Sequence, residues 1–162
     1  MQLDIAFADT WPESQELSEF AELAASIAAG EVGELANQRL QVSVLFTSDA
    51  EVHALNKQWR ERDKPTNVLS FPMLARAELL ELASDGPPVM LGDIAMAAET
   101  TLREANDKGS TVEAHIAHLL VHGLLHLAGY DHETSDEDAE KMEALEVQIL
   151  AKMGLADPYS PR

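Results

Sequence analysis

The chain has 162 residues, 46% of them apolar, no cysteine, and a formal net charge of −18 from 11 basic and 29 acidic side chains. Length and composition indicate one globular domain, residues 1–162, and exclude a disordered chain, disulfides and thiolate metal ligands. The start Met1-Gln-Leu-Asp-Ile has no basic residue or long apolar run, and no stretch is long enough for a membrane span, so a soluble cytoplasmic protein with no membrane or disulfide-linked partner is expected.

Leu3 to Phe7 is short and apolar enough for a first strand. Thr10, followed by Pro12 and Glu13, has the form of a capping box opening a helix. Leu17, Phe20, Ala21, Ala24, Ile27 and Ala28 form its apolar stripe, and Gly30 should end it. Seven acids and no base lie from Asp9 to Glu34, read as a solvated face. Leu40 to Phe46 alternates and is rich in β-formers, predicting a second strand. Ser48 with Glu51 opens a second helix whose inner face would carry Val52, Leu55 and Trp59. At its end Lys57, Arg60, Arg62 and Lys64 gather four of the 11 basic residues into eight positions. A net negative charge repels polyanions at long range, but screening over about 8 Å leaves such a patch nearly independent of a distant acidic face. Basic residues also suit a helix C-terminus, which is the plain structural explanation for them.

Pro65 stops that helix, and Asn67 to Phe71 predicts a third strand. Glu78 to Ala83 has room for a helical turn or two before the loop Asp85-Gly86-Pro87-Pro88. Val89 to Ala97 predicts a fourth strand, in which the Gly92-Asp93 pair suggests a bulge or close approach to something polar. A helix follows from Ala98 to about Asn106. Ser110 and Glu113 would box the next helix, with Val112, Ile116, Leu119, Gly123 and Leu127 buried. Thr134 and Glu137 would cap a last helix that turns Met142, Leu145, Ile149 and Leu150 inward. These elements predict an α+β domain: a small four-stranded mixed sheet covered by about five helices, with a central metal-binding helix.

The segment His115 to His132 holds five of the six histidines. His122 and His126 lie one helical turn apart, and Gly129 can take the positive φ that folds His132 back toward them. Three neutral imidazoles with an open fourth position describe a metal that activates water rather than a closed structural site. Such a centre suits peptide or phosphodiester hydrolysis. The spacing follows the metzincin protease motif except that Gly123 stands where that motif has its glutamate base, which counts against proteolysis. His118 reads as a cleft wall or a support for the ligands, His115 as a substrate contact or a cap, His53 as surface. Asp131 is either an orienting partner for an imidazole or an ordinary turn residue.

The run His122-Gly-Leu-Leu-His126-Leu-Ala-Gly129-Tyr130-Asp131-His132 resembles the signature of the YbeY family, bacterial endoribonucleases of rRNA maturation and ribosome quality control. Leu55 to Pro72 resembles that family's LNxxYRxxDxPTDVLSFP, with Trp59 in place of its tyrosine, and Leu91-Gly92-Asp93-Ile94 resembles its LGD strand. The likeness is weak before Leu40 and across residues 73–88. It implies a metal-dependent single-strand endoribonuclease acting on rRNA, including the 16S rRNA 3′ end, with ribosomal particles as partners. By resemblance one Zn²⁺ per chain is held by His122, His126 and His132, and Arg60 is the basic residue facing it. A dication opposite a guanidinium suits the charge that phosphodiester cleavage builds on nonbridging oxygens. Lys57, Arg62 and Lys64 are placed to hold flanking phosphates. The pattern offers no evident general base, and attack by water or by the RNA 2′-hydroxyl are both open. Two other readings stand beside this one: a metzincin-like zinc protease, and a noncatalytic ribosome assembly factor in which zinc only ties a turn to the helix.

Overall fold

A computed structural model of the chain describes residues 1–9, 11, 15–131 and 134–160. Its strands are β1 (Gln2–Phe7), β2 (Leu40–Thr47), β3 (Val68–Pro72) and β4 (Val89–Ala97). Its helices are α1 (Gln15–Glu31), α2 (Asp49–Arg60), α3 (Arg76–Glu81), α4 (Ala98–Lys108), α5 (Val112–Leu127) and α6 (Asp136–Lys152). The sheet order is β1-β2-β4-β3; β1 and β2 are parallel, as are β2 and β4, and β3 runs antiparallel to β4 on the edge. This is the expected four-stranded mixed sheet in an α+β fold, with six α-helices among the described residues rather than about five.

Alternation along β4 sends successive side chains to opposite faces. Ile94 and Met96 join the large core with α1, α5 and α6, whereas Ala95 and Ala97 join a small cluster with Val52 of α2 and Leu69 of β3. The two faces are therefore covered unequally, and β3 is the edge past which α2 and α5 can approach each other. In α5 apolar residues lie on nearly every side, and eleven of its residues are buried, so it is the central helix. Gly92 follows a register break in which Gln41 pairs with Met90 and Val42 with Gly92, leaving Leu91 as an extra residue. A Cβ on Gly92 would lie 2.4 Å from the Phe71 carbonyl oxygen and 2.6 Å from Leu127. The bulge and the close approach are thus both present.

Several local expectations need correction. Trp59 is 66% exposed, and the buried residues of α2 are Val52 and Asn56, because the chain at its C-terminus leaves the sheet. Ser48 does cap α2, but Glu51 turns back to the Thr47 hydroxyl at 2.5 Å instead of closing a box. Thr111, not Ser110, caps α5 by accepting from Ala114 N, and Ser135, not Thr134, caps α6 by accepting from Asp138 N. Each cap is one residue later than read, since two adjacent hydroxyl-bearing residues offer the same chemistry. Gly30 lies inside α1, and α3 begins at Arg76. Thr10, Pro12 and Glu13 lie outside the described residues.

Candidate active site

The site is a cleft of about 420 Å³ beside the β3 edge, with α2 and its following loop on one wall and α5 on the other. Arg60, Arg62 and Lys64 line the first wall; His115, His118, His122 and His126 line the second; Ser70 and Asp131 also border it. Arg60 is the last residue of α2, and Glu61 ends the helix in the left-handed conformation at φ 57°. Asn56, 2% exposed, bonds through its Nδ2 to Lys64 O at 2.9 Å, and its own carbonyl accepts from Arg62 N at 3.2 Å. One buried amide thus shapes the basic loop. Arg60 Nη1 lies 3.5 Å from the Ser70 carbonyl, half-buried against β3. Lys57 is not in the lining; its ammonium is 3.9 Å from Asp63, which His53 Nε2 also meets at 2.8 Å.

On the opposite wall both histidines of the i, i+4 pair are held through Nδ1. His122 Nδ1 lies 2.7 Å from Glu146 Oε1, and His126 Nδ1 lies 2.5 Å from Ser70 Oγ. Glu146 is fully buried on α6, yet its acidity is strengthened. Burial alone would raise its pKa, but hydrogen bonds from His118, His122 and Tyr159 outweigh this and hold it at about 2. The carboxylate is therefore ionised and acts as acceptor for the Nδ1–H of His122, which leaves Nε2 as the ring atom with a lone pair for a ligand. Oε2 of the same carboxylate takes His118 Nε2 at 3.1 Å and the Tyr159 hydroxyl. The phenol's pKa is pushed up by burial and by that anion.

His118 is accordingly a support for Glu146, as the leaning of its side chain toward the helix N-terminus suggests. His115 is only 3% exposed and bonds Glu104 Oε1 at 2.8 Å, which Asn67 Nδ2 also reaches at 2.9 Å. Burial, opposed by Glu104, lowers the His115 pKa and keeps the ring neutral. Gly129 adopts φ 99° at the end of α5, and a Cβ there would meet Arg76 at 2.8 Å. Arg76 Nη1 in turn caps α5 through the Ala128 carbonyl at 2.7 Å. His132 lies outside the described residues, and among the described residues no group of three histidine and carboxylate side chains is gathered for a metal.

The donors that are described fit a cation such as zinc. Two imidazoles on one face, each fixed through Nδ1 by a side-chain partner, are the arrangement metal-ligating histidines take. The place next to His122 cannot supply a protease base, because the hydrogen of Gly123 points at Ile94, whose Cδ1 would be 3.0 Å from a Cβ. Glu146, Ser70 and Asn56 escaped the sequence reading. Glu146 had a usable signal: with Met142, Ile149 and Leu150 it occupies one helical stripe, where an isolated carboxylate needs a partner. Ser70 likewise interrupts an apolar strand.

A model of the family described as Endoribonuclease YbeY matches residues 7–154. A protein of Erythrobacter litoralis named Endoribonuclease YbeY is 66% identical over 128 residues, 79% of this chain and 80% of its own length. One of the same name from Novosphingobium aromaticivorans is 54% identical over 159 residues, 98% of this chain and 95% of its own. A solution structure of a Thermotoga maritima protein superposes with a TM-score of 0.56 at 25% identity, covering 98% of this chain and 99% of that one.

Proposed function

We propose that this chain, which belongs to the endoribonuclease YbeY family, cuts single-stranded RNA during rRNA maturation with a zinc ion held by His122, His126 and His132. The family makes it an endoribonuclease. The observation that carries the finer reading is the cleft itself, where Arg60 faces two histidines whose Nδ1 atoms are already engaged. When bound, the dication supplies Lewis acidity toward a phosphoryl oxygen and makes water a better nucleophile.

The rest is done by side chains. Glu146 and Ser70 set the ring planes of His122 and His126, so that geometry is fixed before substrate arrives. Arg60 places a planar guanidinium against the nonbridging oxygens, where negative charge grows in the transition state. Arg62 and Lys64 hold neighbouring phosphates without reading bases. Lys57, paired with Asp63 outside the cleft lining, adds to the local field rather than to contacts. The neutral His115 and the Asn67–Glu104 pair keep the far end of the cleft ordered. Ribosomal particles in the cytoplasm are the natural source of such a substrate.

The test joins elemental analysis to cleavage of structured rRNA and unstructured RNA, with and without a chelator. About one zinc per chain, with cleavage lost on chelation and restored by zinc, is expected. Zinc-loaded protein that leaves every RNA intact would overturn the reading, and chelator-sensitive cleavage of casein would favour the protease.

A further inference from the structure

Behind the cleft lies a second cavity of about 330 Å³, built from the C-terminal end of α4, the first turns of α5 and the tail after α6. Lys108, His115 and His118 border both spaces, so the cavity adjoins the cleft. Leu155 and Pro158 give it apolar surface, while Lys108, Ser110 and Asp107 give it a polar rim. Lys108 is exposed and makes no ion pair among the described residues. The volume is in the range that takes a small ligand. The proposed mechanism sets phosphates on Arg62 and Lys64 and gives no role to Lys108.

We infer that the cavity is a subsite for one unpaired nucleotide flanking the cleaved phosphodiester, with Lys108 on its phosphate and its base against the apolar surface. The inference rests on the endoribonuclease reading. The chemistry matches in both halves. A nucleotide joins a phosphate, which wants an exposed ammonium, to a flat base, which wants carbon surface and an edge partner. Asp107 would repel a phosphate placed beside it, but it can accept from an exocyclic amine of cytosine, adenine or guanine.

The tail wall also has a second attachment. Tyr159, next to Pro158, bonds Glu146 and stands edge-on to His118 with ring centroids 5.3 Å apart. The wall that would meet the base is thereby anchored to the carboxylate that orients His122.

The experiment uses a labelled single-stranded RNA whose main cut has been mapped, with each flanking nucleotide replaced in turn by an abasic one. One flanking position is expected to raise KM roughly tenfold when its base is removed, with kcat nearly held, as loss of the apolar contact of one base does. Lys108→Ala should raise KM for the intact RNA and lower the salt slope by about 0.7, the share of one single-strand phosphate contact. Ala156→Trp, filling the cavity from its exposed wall, should abolish the difference between intact and abasic RNA. Melting temperature and zinc content of both variants report on folding. A variant that fails to fold is replaced by Ser110→Trp on the other rim. Cleavage by the wild type that is indifferent to every flanking base overturns the subsite alone. A wild type that cuts no RNA overturns it together with the function it rests on.

Discussion

At the scale of single residues, the site separates groups that act on substrate from groups that act on ligands. On the function proposed above, Arg60 belongs to the first kind. If it only completed a helix end, Arg60→Ala would cost about 0.3–1 kcal/mol of stability and leave cleavage unchanged. Facing the histidines across the cleft, it should instead keep fold and zinc content while cleavage falls roughly 10²–10³-fold, and Arg60→Lys should recover only part, because an ammonium cannot span two oxygens. Cleavage rate, zinc content and melting temperature of the two variants decide it. Glu146 is of the second kind. Glu146→Gln preserves the shape but removes the anion that holds the Nδ1 proton of His122, so zinc affinity should drop roughly 10–100-fold in a chelator competition. Unchanged affinity in a folded Glu146→Gln protein would remove the carboxylate from the site. His118 and Tyr159 share that carboxylate, so Tyr159→Phe should give a smaller loss in the same direction.

Elements explain why some of this was readable beforehand and some was not. The strands, α2, α4, α5 and α6 follow periods of two and 3.6, and Arg60, His122 and His126, singled out in the sequence, line one cleft. Partners that come from distant elements leave no such mark: Ser70 reaches His126 only because β3 is the edge beside α5, and Glu146 reaches His122 only because α6 crosses α5. Trp59 was misjudged for the same reason, since a helical stripe says which residues align but not where the sheet beneath it ends. Glycines show how tightly the elements meet. Gly92→Ala would drive a Cβ into the Phe71 carbonyl of β3 and into Leu127, a backbone clash that costs about 1–3 kcal/mol and pushes Ser70 away from His126. Gly30→Ala, in α1 with nothing within 4 Å of the added carbon, should instead stabilise by about 0.5–1 kcal/mol. Denaturant midpoints of the pair should move in opposite directions, and only Gly92→Ala should weaken zinc binding. Equal shifts would mean that β3 is not held against α5 as tightly as the packing requires.

For the molecule as a whole, the question is how a chain with a formal charge of −18 approaches a polyanion. The basic groups that line the cleft, Arg60, Arg62, Lys64 and Lys108, act at contact, where salt weakens them by counterion exchange. The exposed acids of α1 and α6 act from outside the cleft, where a Debye length of about 8 Å at physiological salt already screens them. Salt therefore has two opposed effects on association: it strips contacts, and it lifts repulsion. The slope of log affinity against log salt should be shallower than the number of cleft phosphate contacts alone would give, at about 0.7 per contact. Glu19 and Glu22 of α1 are exposed and line no part of the cleft. Reversing both to lysine, two charge units apiece, changes −18 to −14 without touching the site. The double variant should associate faster than the wild type with a labelled single-stranded RNA at low salt. The two rates should converge toward 1 M, where the Debye length is about 3 Å. Rates equal at every ionic strength would mean the acidic face plays no part in the encounter, leaving the cleft charges as the only electrostatics that matter.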